Sequence, residues 1–245
     1  MIKSNVLNMV MLALCLASPA AAPVTNEMVF GGQTWRTKNS TTPIAPGPNW
    51  WSNSSQSVWL DDEGMHLSIT RRDGKWYATE VFTQKALGYG TYTFVIDGAI
   101  DRYDPHVVAG FFTWDTRPAE SNREIDIEFA AWGIADSARG QYVVQPYTQA
   151  DRLMQFNLAL QGTYTTHRIV WTPAGISFSS WHGNVDPSDP LSDANLIATW
   201  DYHGVVPSEG NARFRINLWL FNGKAPADGR DVHLTVKSFS FVAWE

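Results

Sequence analysis

The hexapeptide Glu124-Ile125-Asp126-Ile127-Glu128-Phe129 carries three acids at strict alternation. Successive side chains of a strand point to opposite faces, so Glu124, Asp126 and Glu128 share one face and Ile125, Ile127 and Phe129 the other. Each acid then sits about 6.6 Å from the next, close enough in a partly desolvated cleft for like charges to oppose simultaneous ionisation. A solvated strand face explains one or two acids. Three inside an Ile-Ile-Phe frame work against stability and point to chemistry. Cleavage of a glycosidic bond with retention needs two carboxyl groups about 5–5.5 Å apart, one a nucleophile and the other an acid that later acts as base. The Cα atoms of Glu124 and Glu128 lie about 13 Å apart in an extended strand, so their side chains must lean inward. Asp126, between them, is placed to hydrogen-bond the nucleophile and to help push the two glutamate pKa values apart.

The rest of the chain has to build that strand into a sheet. Its dominant period is two: Met65, Leu67 and Ile69 alternate with polar residues, as do Tyr92, Phe94 and Ile96. Phe214, Ile216, Leu218 and Leu220 alternate with Arg213, Arg215, Asn217 and Trp219. Such runs predict half-buried strands. Asp61-Asp62-Glu63-Gly64, Asp73-Gly74, Pro173-Ala174-Gly175 and Asn222-Gly223 supply turn signals between them. No helical period of ten or more residues stands out after the N-terminal segment. Residues 39–57, rich in Asn, Ser, Thr and Pro, read as a loop leading into the domain. Many short strands with frequent turns predict an all-β fold of two packed antiparallel sheets, a sandwich or jelly roll. A concave side would offer a groove for an extended polymer.

The motif EIDIEF resembles the signature of glycoside hydrolase family 16, whose members are concanavalin A-like β-jelly-roll enzymes. The resemblance implies Glu124 as nucleophile, Asp126 as its assistant and Glu128 as acid/base. The absence of an inserted residue before Glu128 is closer to the lichenase and xyloglucan-enzyme branch than to the laminarinase and agarase branch. Looser similarity covers most of the chain. Glu80-Val81-Phe82 with Gly88-Tyr89-Gly90-Thr91-Tyr92 resembles one family strand pair, and His167 to Pro173 another strand and turn. Asn217-Leu218-Trp219 is similar to a late strand whose Asn and Trp line the sugar cleft. Glu80, Gln145, Tyr147, Asn217 and Trp219 are therefore the expected substrate-binding residues. Two departures bear on substrate: Phe82 stands where similar lichenases have Arg, and Asn122 where they have Trp.

Other features bound the reading. Lys3, the apolar run from Val6 to Leu16 and Ala20-Ala21-Ala22 form a signal-peptide pattern over residues 1–22, leaving residues 23–245 as one catalytic domain. Secretion or a periplasmic location follows as the expectation. Cleavage takes one lysine from a chain of net charge −6 and leaves −7, which favours neither nucleic acid nor an anionic membrane as partner. The single cysteine, Cys15, lies inside the apolar run, so no disulfide is expected afterwards. His106, His167, His182, His203 and His233 lack metal-ligand spacing and no Asp-rich loop marks a calcium site, so no metal or cofactor is expected. Of the 12 Trp residues, Trp219, Trp50-Trp51 and Trp132 are expected along the groove. The leading expectation is a monomeric retaining endo-β-glycanase acting on β-1,3/1,4-glucan-type polysaccharide. A transglycosylase of the same fold and a non-catalytic lectin are the alternatives.

Overall fold

The computed structural model describes residues 27–245; the expected signal peptide and Cys15 lie outside them. The strands are β1 (Glu27–Phe30), β2 (Gln33–Thr37), β3 (Trp50–Trp51), β4 (Val58–Asp61), β5 (Gly64–Arg72), β6 (Lys75–Thr83), β7 (Gly90–Asp97), β8 (Val107–Trp114), β9 (Ile125–Ala130), β10 (Gly140–Val144), β11 (Leu153–Phe156), β12 (Tyr164–Thr172), β13 (Gly175–His182), β14 (Leu196–Tyr202), β15 (Arg213–Leu220) and β16 (Val232–Ala243). Among the described residues the helical stretches are three short 3-10 turns. None is long and apolar enough to cross a membrane.

Pairing runs in one path, β11-β10-β9-β8-β15-β6-β5-β16-β7-β12-β13-β14, with β1, β2, β3 and β4 attached at its middle. The β5–β6 hairpin joins two layers. Its Asp73-Gly74 turn has φ of 48° and 76°, the left-handed pair that a two-residue hairpin needs. Only Thr70 to Arg72 pair with β6. Earlier residues of β5 pair with β16 and β4, and later residues of β6 pair with β15 and β2. The two arms of one hairpin thus splay into different layers, and the two expected sheets are the halves of one folded path.

Alternation fixes what lies between the layers. Met65, Leu67, Ile69, Tyr92, Phe94, Ile96, Phe214, Ile216 and Leu218 are fully buried. Rings meet across the interface: Phe94 stacks on Phe111 at 4.5 Å, Tyr142 on Phe178 at 5.0 Å, and Trp35 meets Phe239 edge-on at 5.0 Å. Each such side chain contributes roughly 1.5–3 kcal/mol through burial alone. His167 is locked in this core between Ser180 and Thr165, both at 2.8 Å. Burial lowers its pKa to about 3, so it is a neutral packing residue. The layer made of β11, β10, β9, β8, β15 and β6 keeps its other face free of the core, and there the three acids emerge.

Candidate active site

Cross-strand register assembles the site. Glu80 on β6 pairs with Asn217 on β15, which pairs with Gly110 on β8; Gly110 pairs with Glu128, and Glu128 with Gln141 on β10. Two residues along each strand, Phe82, Arg215, Phe112 and Asp126 form a second row. Ile125, Ile127 and Phe129 are fully buried on the core side, as the alternation demands. Gly110 leaves room for Asn217, since a Cβ there would lie 2.5 Å from Asn217 Oδ1 and displace that side chain.

Glu124 enters β9 from an unusual turn. Glu120, Ser121, Asn122 and Arg123 all have φ between 52° and 60°, a left-handed conformation costing about 1–2 kcal/mol per non-glycine residue. Asp115 clamps it. Its backbone N–H donates to Asn122 O at 2.7 Å, and its carbonyl accepts from Asn122 Nδ2 at 2.9 Å. Its carboxylate, 1% exposed, accepts from Arg117 Nη2 at 2.8 Å, Asn211 N at 2.9 Å and Arg123 Nη1 at 3.2 Å. Hydrogen bonds from Arg117, then from Asn211, hold its pKa well below the usual carboxylate range. Thr113 Oγ1 donates to Arg123 O at 2.7 Å and accepts from Ile125 N at 3.2 Å, so both peptides flanking Glu124 are fixed.

The three acids lie in one cluster with different partners. Glu124 and Asp126 share a hydrogen bond. Gln145 Nε2 donates to Asp126 Oδ2 at 3.2 Å, and Gln141 Nε2 to Glu128 Oε2 at 2.8 Å. Burial first, and then the charge of Glu128, push Glu124 up to about 8. Burial also raises Asp126 well above its ordinary value and, against the Gln141 hydrogen bond, raises Glu128 to about 7. The sequence placed Asp126 to hydrogen-bond the nucleophile, which favours charge on Glu124. Asp126 does act in that direction, but desolvation outweighs it and dominates all three shifts. The three titrate as one coupled set, each proton lost making the next harder to lose.

Two adjoining cavities meet at Glu128 and Trp219. The first, about 310 Å³, has Glu124, Asp126, Glu80 and Asn217 in its lining. The second, about 450 Å³, has Gln145, Tyr147, Gln141 and Trp132. All eight expected site residues thus lie along one groove. Glu80 is 2% exposed and both of its oxygens are occupied, by Arg215 Nη1 at 2.6 Å and Lys38 Nζ at 3.1 Å. Arg215, Lys38, Phe112, Trp114 and the Ala45-Pro46 edge of the 39–57 loop also line the first cavity. Alternation had placed Arg215 on the polar face of its strand. Nothing local in the sequence marked Lys38 or Ala45-Pro46, which arrive through long-range packing such as Asn49 Nδ2 to Leu220 O at 2.9 Å. The expectation that Trp50-Trp51 rim the groove fails. Trp51 is fully buried beneath Lys38, whose Nζ lies 3.8 Å from the ring centroid, and Trp50 packs on Tyr77 and Lys75. Trp132 does line the second cavity, with Nε1 donating to Gln141 Oε1 at 3.3 Å. Among the described residues, no group of three or more His, Cys, Asp or Glu side chains is arranged to hold a metal ion.

No protein-family model matches the sequence, and no curated protein sequence matches it. Solved structures do share its architecture. The chain is similar to a Bacillus licheniformis beta-glucanase, with a TM-score of 0.62 and 19% identity over 92% of this chain and 96% of that one. It is similar to a Mycobacterium tuberculosis immunostimulatory antigen described as a pseudo beta-1,3-glucanase, with a TM-score of 0.65 and 19% identity over 91% and 93%. A third likeness is to a Bacteroides ovatus mixed-linkage-glucan enzyme of glycoside hydrolase family 16 in complex with its product, with a TM-score of 0.59 and 16% identity over 85% and 94%. At these identities the likeness is one of architecture, and the chain has the β-jelly-roll fold found in glycoside hydrolase family 16.

Proposed function

We propose that the chain is a retaining endo-β-glycanase that cleaves β-1,3/1,4-glucan-type polysaccharide by double displacement. The observation that carries this reading is the trio of raised carboxyls on one strand face at the junction of two cavities. The fold alone does not carry it, since a similar structure is described as a pseudo-enzyme.

The surroundings of the two glutamates differ. Both line the first cavity with Arg215, but Glu128 also borders the second and accepts from Gln141 Nε2, whereas Glu124 hydrogen-bonds Asp126. Burial raises Glu124 to about 8 and Glu128 to about 7, so the roles follow the resemblance of the motif and not the order of protonation in the substrate-free site. In this scheme Glu124 attacks the anomeric carbon while Glu128 gives its proton to the departing glycosidic oxygen. Glu128 then takes a proton from water, which displaces Glu124 and restores the original β configuration. Asp126, held by Gln145, orients Glu124 between the two steps. Aromatic and amide groups line the second cavity and suit a neutral polymer: Trp132, Trp219 and Tyr147 offer ring faces, and Gln141 and Gln145 offer hydrogen bonds. A groove continuing on both sides of the reacting carboxyls suits cleavage within a chain. Residues 1–22 direct export, which N-terminal sequencing of the secreted protein tests.

A panel of β-1,3/1,4-glucan, β-1,3-glucan and galactan, with products sized over time, tests the reading. Mixed-linkage glucan is expected to fall quickly to oligosaccharides. With an oligosaccharide acceptor added, products longer than that acceptor and carrying it would mark transglycosylation, and binding without cleavage of any polymer would make the protein a lectin and refute the proposal.

A further inference from the structure

We propose that Trp132 and Gln155 fix the amide of Gln141 so that its NH₂ bonds one oxygen of Glu128, which keeps the acid proton on the other oxygen, Oε1. This rests on the glycanase reading and adds positioning residues that act through Gln141 without themselves reacting.

The contacts follow the sheet. On β10, Gln141 lies opposite Glu128 of β9 on one side and Gln155 of β11 on the other. Gln141 Nε2 donates to Glu128 Oε2 at 2.8 Å. Gln141 Oε1 accepts from Trp132 Nε1 at 3.3 Å and from Gln155 Nε2 at 3.4 Å. An indole nitrogen can only donate, so the amide atom that faces Trp132 is the oxygen and the NH₂ is left to face Glu128. Gln141 is 9% exposed, so little water reaches the amide to offer it another orientation.

The turn that carries Trp132 is built to aim it. Its φ of 52° is left-handed, an outlier for so bulky a residue, and such outliers gather at functional sites. Gly133 follows at 81° and donates its N–H to Pro105 O at 2.8 Å, while Ser137 Oγ donates to Ala131 O at 3.0 Å. Trp219 and Phe221 meet the indole edge-on at 6.2 Å and 5.4 Å, so its ring is held from two sides. Stacking on a sugar would be served by any aromatic ring, whereas the bond to Gln141 needs the indole N–H. A donor aimed at Glu128 Oε2 makes that atom the carbonyl oxygen of the protonated acid, since a hydroxyl there would set hydrogen against hydrogen. The proton then sits on Oε1, which no described residue bonds, and Glu128 lines both cavities. In the first step the Oε1–H bond breaks and the proton passes to the glycosidic oxygen, which departs with the electrons of its bond to the anomeric carbon. In the second, Oε1 takes a proton from the attacking water. Oε2 accepts from Gln141 throughout.

The relay should produce a loss that depends on the leaving group, which neither sugar stacking nor a structural role would give. Gln141→Met keeps the length of the side chain and removes all three bonds; kcat/KM on mixed-linkage glucan should fall about 10- to 100-fold, as for a misplaced general acid. Trp132→Phe keeps a ring and removes the N–H, and should lose about threefold to tenfold, the worth of one ordinary hydrogen bond. Adding Gln155→Met frees the amide to turn, so the double variant should approach Gln141→Met. In each variant the loss should shrink across aryl β-glycosides of falling leaving-group pKa, because good leaving groups depart without protonation. A loss of equal size across that series, as weaker sugar binding would give, overturns the proposal, and so does wild-type kcat/KM in the double variant. Neutron diffraction from substrate-free wild-type crystals in D₂O at acid pH reads the proton without any activity, and decides the matter should the variants not fold. Deuterium is expected on Glu128 Oε1, with Trp132 Nε1–D pointing at Gln141 Oε1; deuterium on Oε2 facing Gln141 overturns the proposal. If wild-type protein cleaves none of the polymers, the glycanase reading fails and the neutron density alone decides where the proton sits.

Discussion

Asp115→Asn tests whether the left-handed turn delivers Glu124. The substitution keeps size and shape but turns an acceptor of several N–H groups into an amide whose NH₂ faces donors. Arg123, whose side chain is 10% exposed, then keeps only the partly exposed Glu120 as a charged partner at 2.9 Å. Breaking a buried pair by removing one partner costs about 3–5 kcal/mol. Four left-handed residues, at about 1–2 kcal/mol each, stand ready to relax once that clamp goes. Taking about 3 kcal/mol, the melting temperature should fall by roughly 6–12 °C. Glu124 directly follows the turn, so kcat should fall well below wild type at temperatures where the variant stays folded, with a smaller change in KM. The pH dependence gives a second reading. The folded pKa of Asp115 is depressed, so its contribution is full above the unfolded value of about 3.9 and fades as pH falls below it. Wild-type protein should lose stability over that acid range more steeply than Asp115→Asn. Thermal unfolding followed by circular dichroism, with kinetics on the folded fraction, measures all three. A melting temperature within 2 °C of wild type would refute the clamp. A destabilised variant with full kcat would separate the turn from the positioning of Glu124.

The reacting groups and the groove give three more expected outcomes. Glu124→Gln and Glu128→Gln should each lose several orders of magnitude in kcat with the fold intact by circular dichroism, and Asp126→Asn should lose less than either; near-normal turnover by Glu124→Gln would remove it as nucleophile. Glu128→Ala should still form the covalent intermediate from substrates with good leaving groups, and azide should restore turnover as a β-glycosyl azide; an α-azide seen by NMR would rule out retention. Trp219→Phe should raise KM with little loss of stability, because part of the ring face remains. Trp219→Ala should also cost about 3–5 kcal/mol, since Trp219 is 8% exposed and clusters with Trp51, Val108 and Ala130; an unchanged melting temperature in the alanine variant would show the cluster contributes nothing.

That last point marks a limit of alternation as a guide. It placed Trp219 on the polar face opposite Leu218, which holds, but gave no warning that this face has its own small apolar cluster. The strands β5, β7 and β15 were legible because one face meets the core and the other does not. The strand β8, Val-Val-Ala-Gly-Phe-Phe-Thr-Trp, has both faces covered and shows no period, so its contribution of Phe112 and Trp114 to the groove went unread. The three acids were readable because chemistry alone explains them. Their protonation was read less well: charges one strand residue apart are visible in a sequence, whereas desolvation depends on walls such as Ala45-Pro46 that only the folded chain assembles. The turn at 120–123 was invisible for another reason. It contains no glycine, and its conformation is imposed by Asp115, Thr113 and the distant Ser208 and Asn211.

A motif on a single strand can specify which groups react without specifying what each one does. Glu124 and Glu128 are the same residue type, on the same face, with the same neighbour between them, and burial raises both. Symmetry on the strand has to be broken from outside it. The rows that cross it differ: the row through Glu128 runs from Glu80 through Asn217 and Gly110 to Gln141, while the row through Asp126 runs from Phe82 through Arg215 and Phe112 to Val143. A one-residue slip of β15 against β8 would turn Arg215 and Asn217 toward the core and leave the acids facing apolar side chains. The register of β15 is held independently of the site, by Phe214, Ile216 and Leu218 packed in the interior. Packing on one face of β15 therefore sets which side chains its other face presents to the acids, and a core substitution that shifted this strand would reach the site without touching either glutamate.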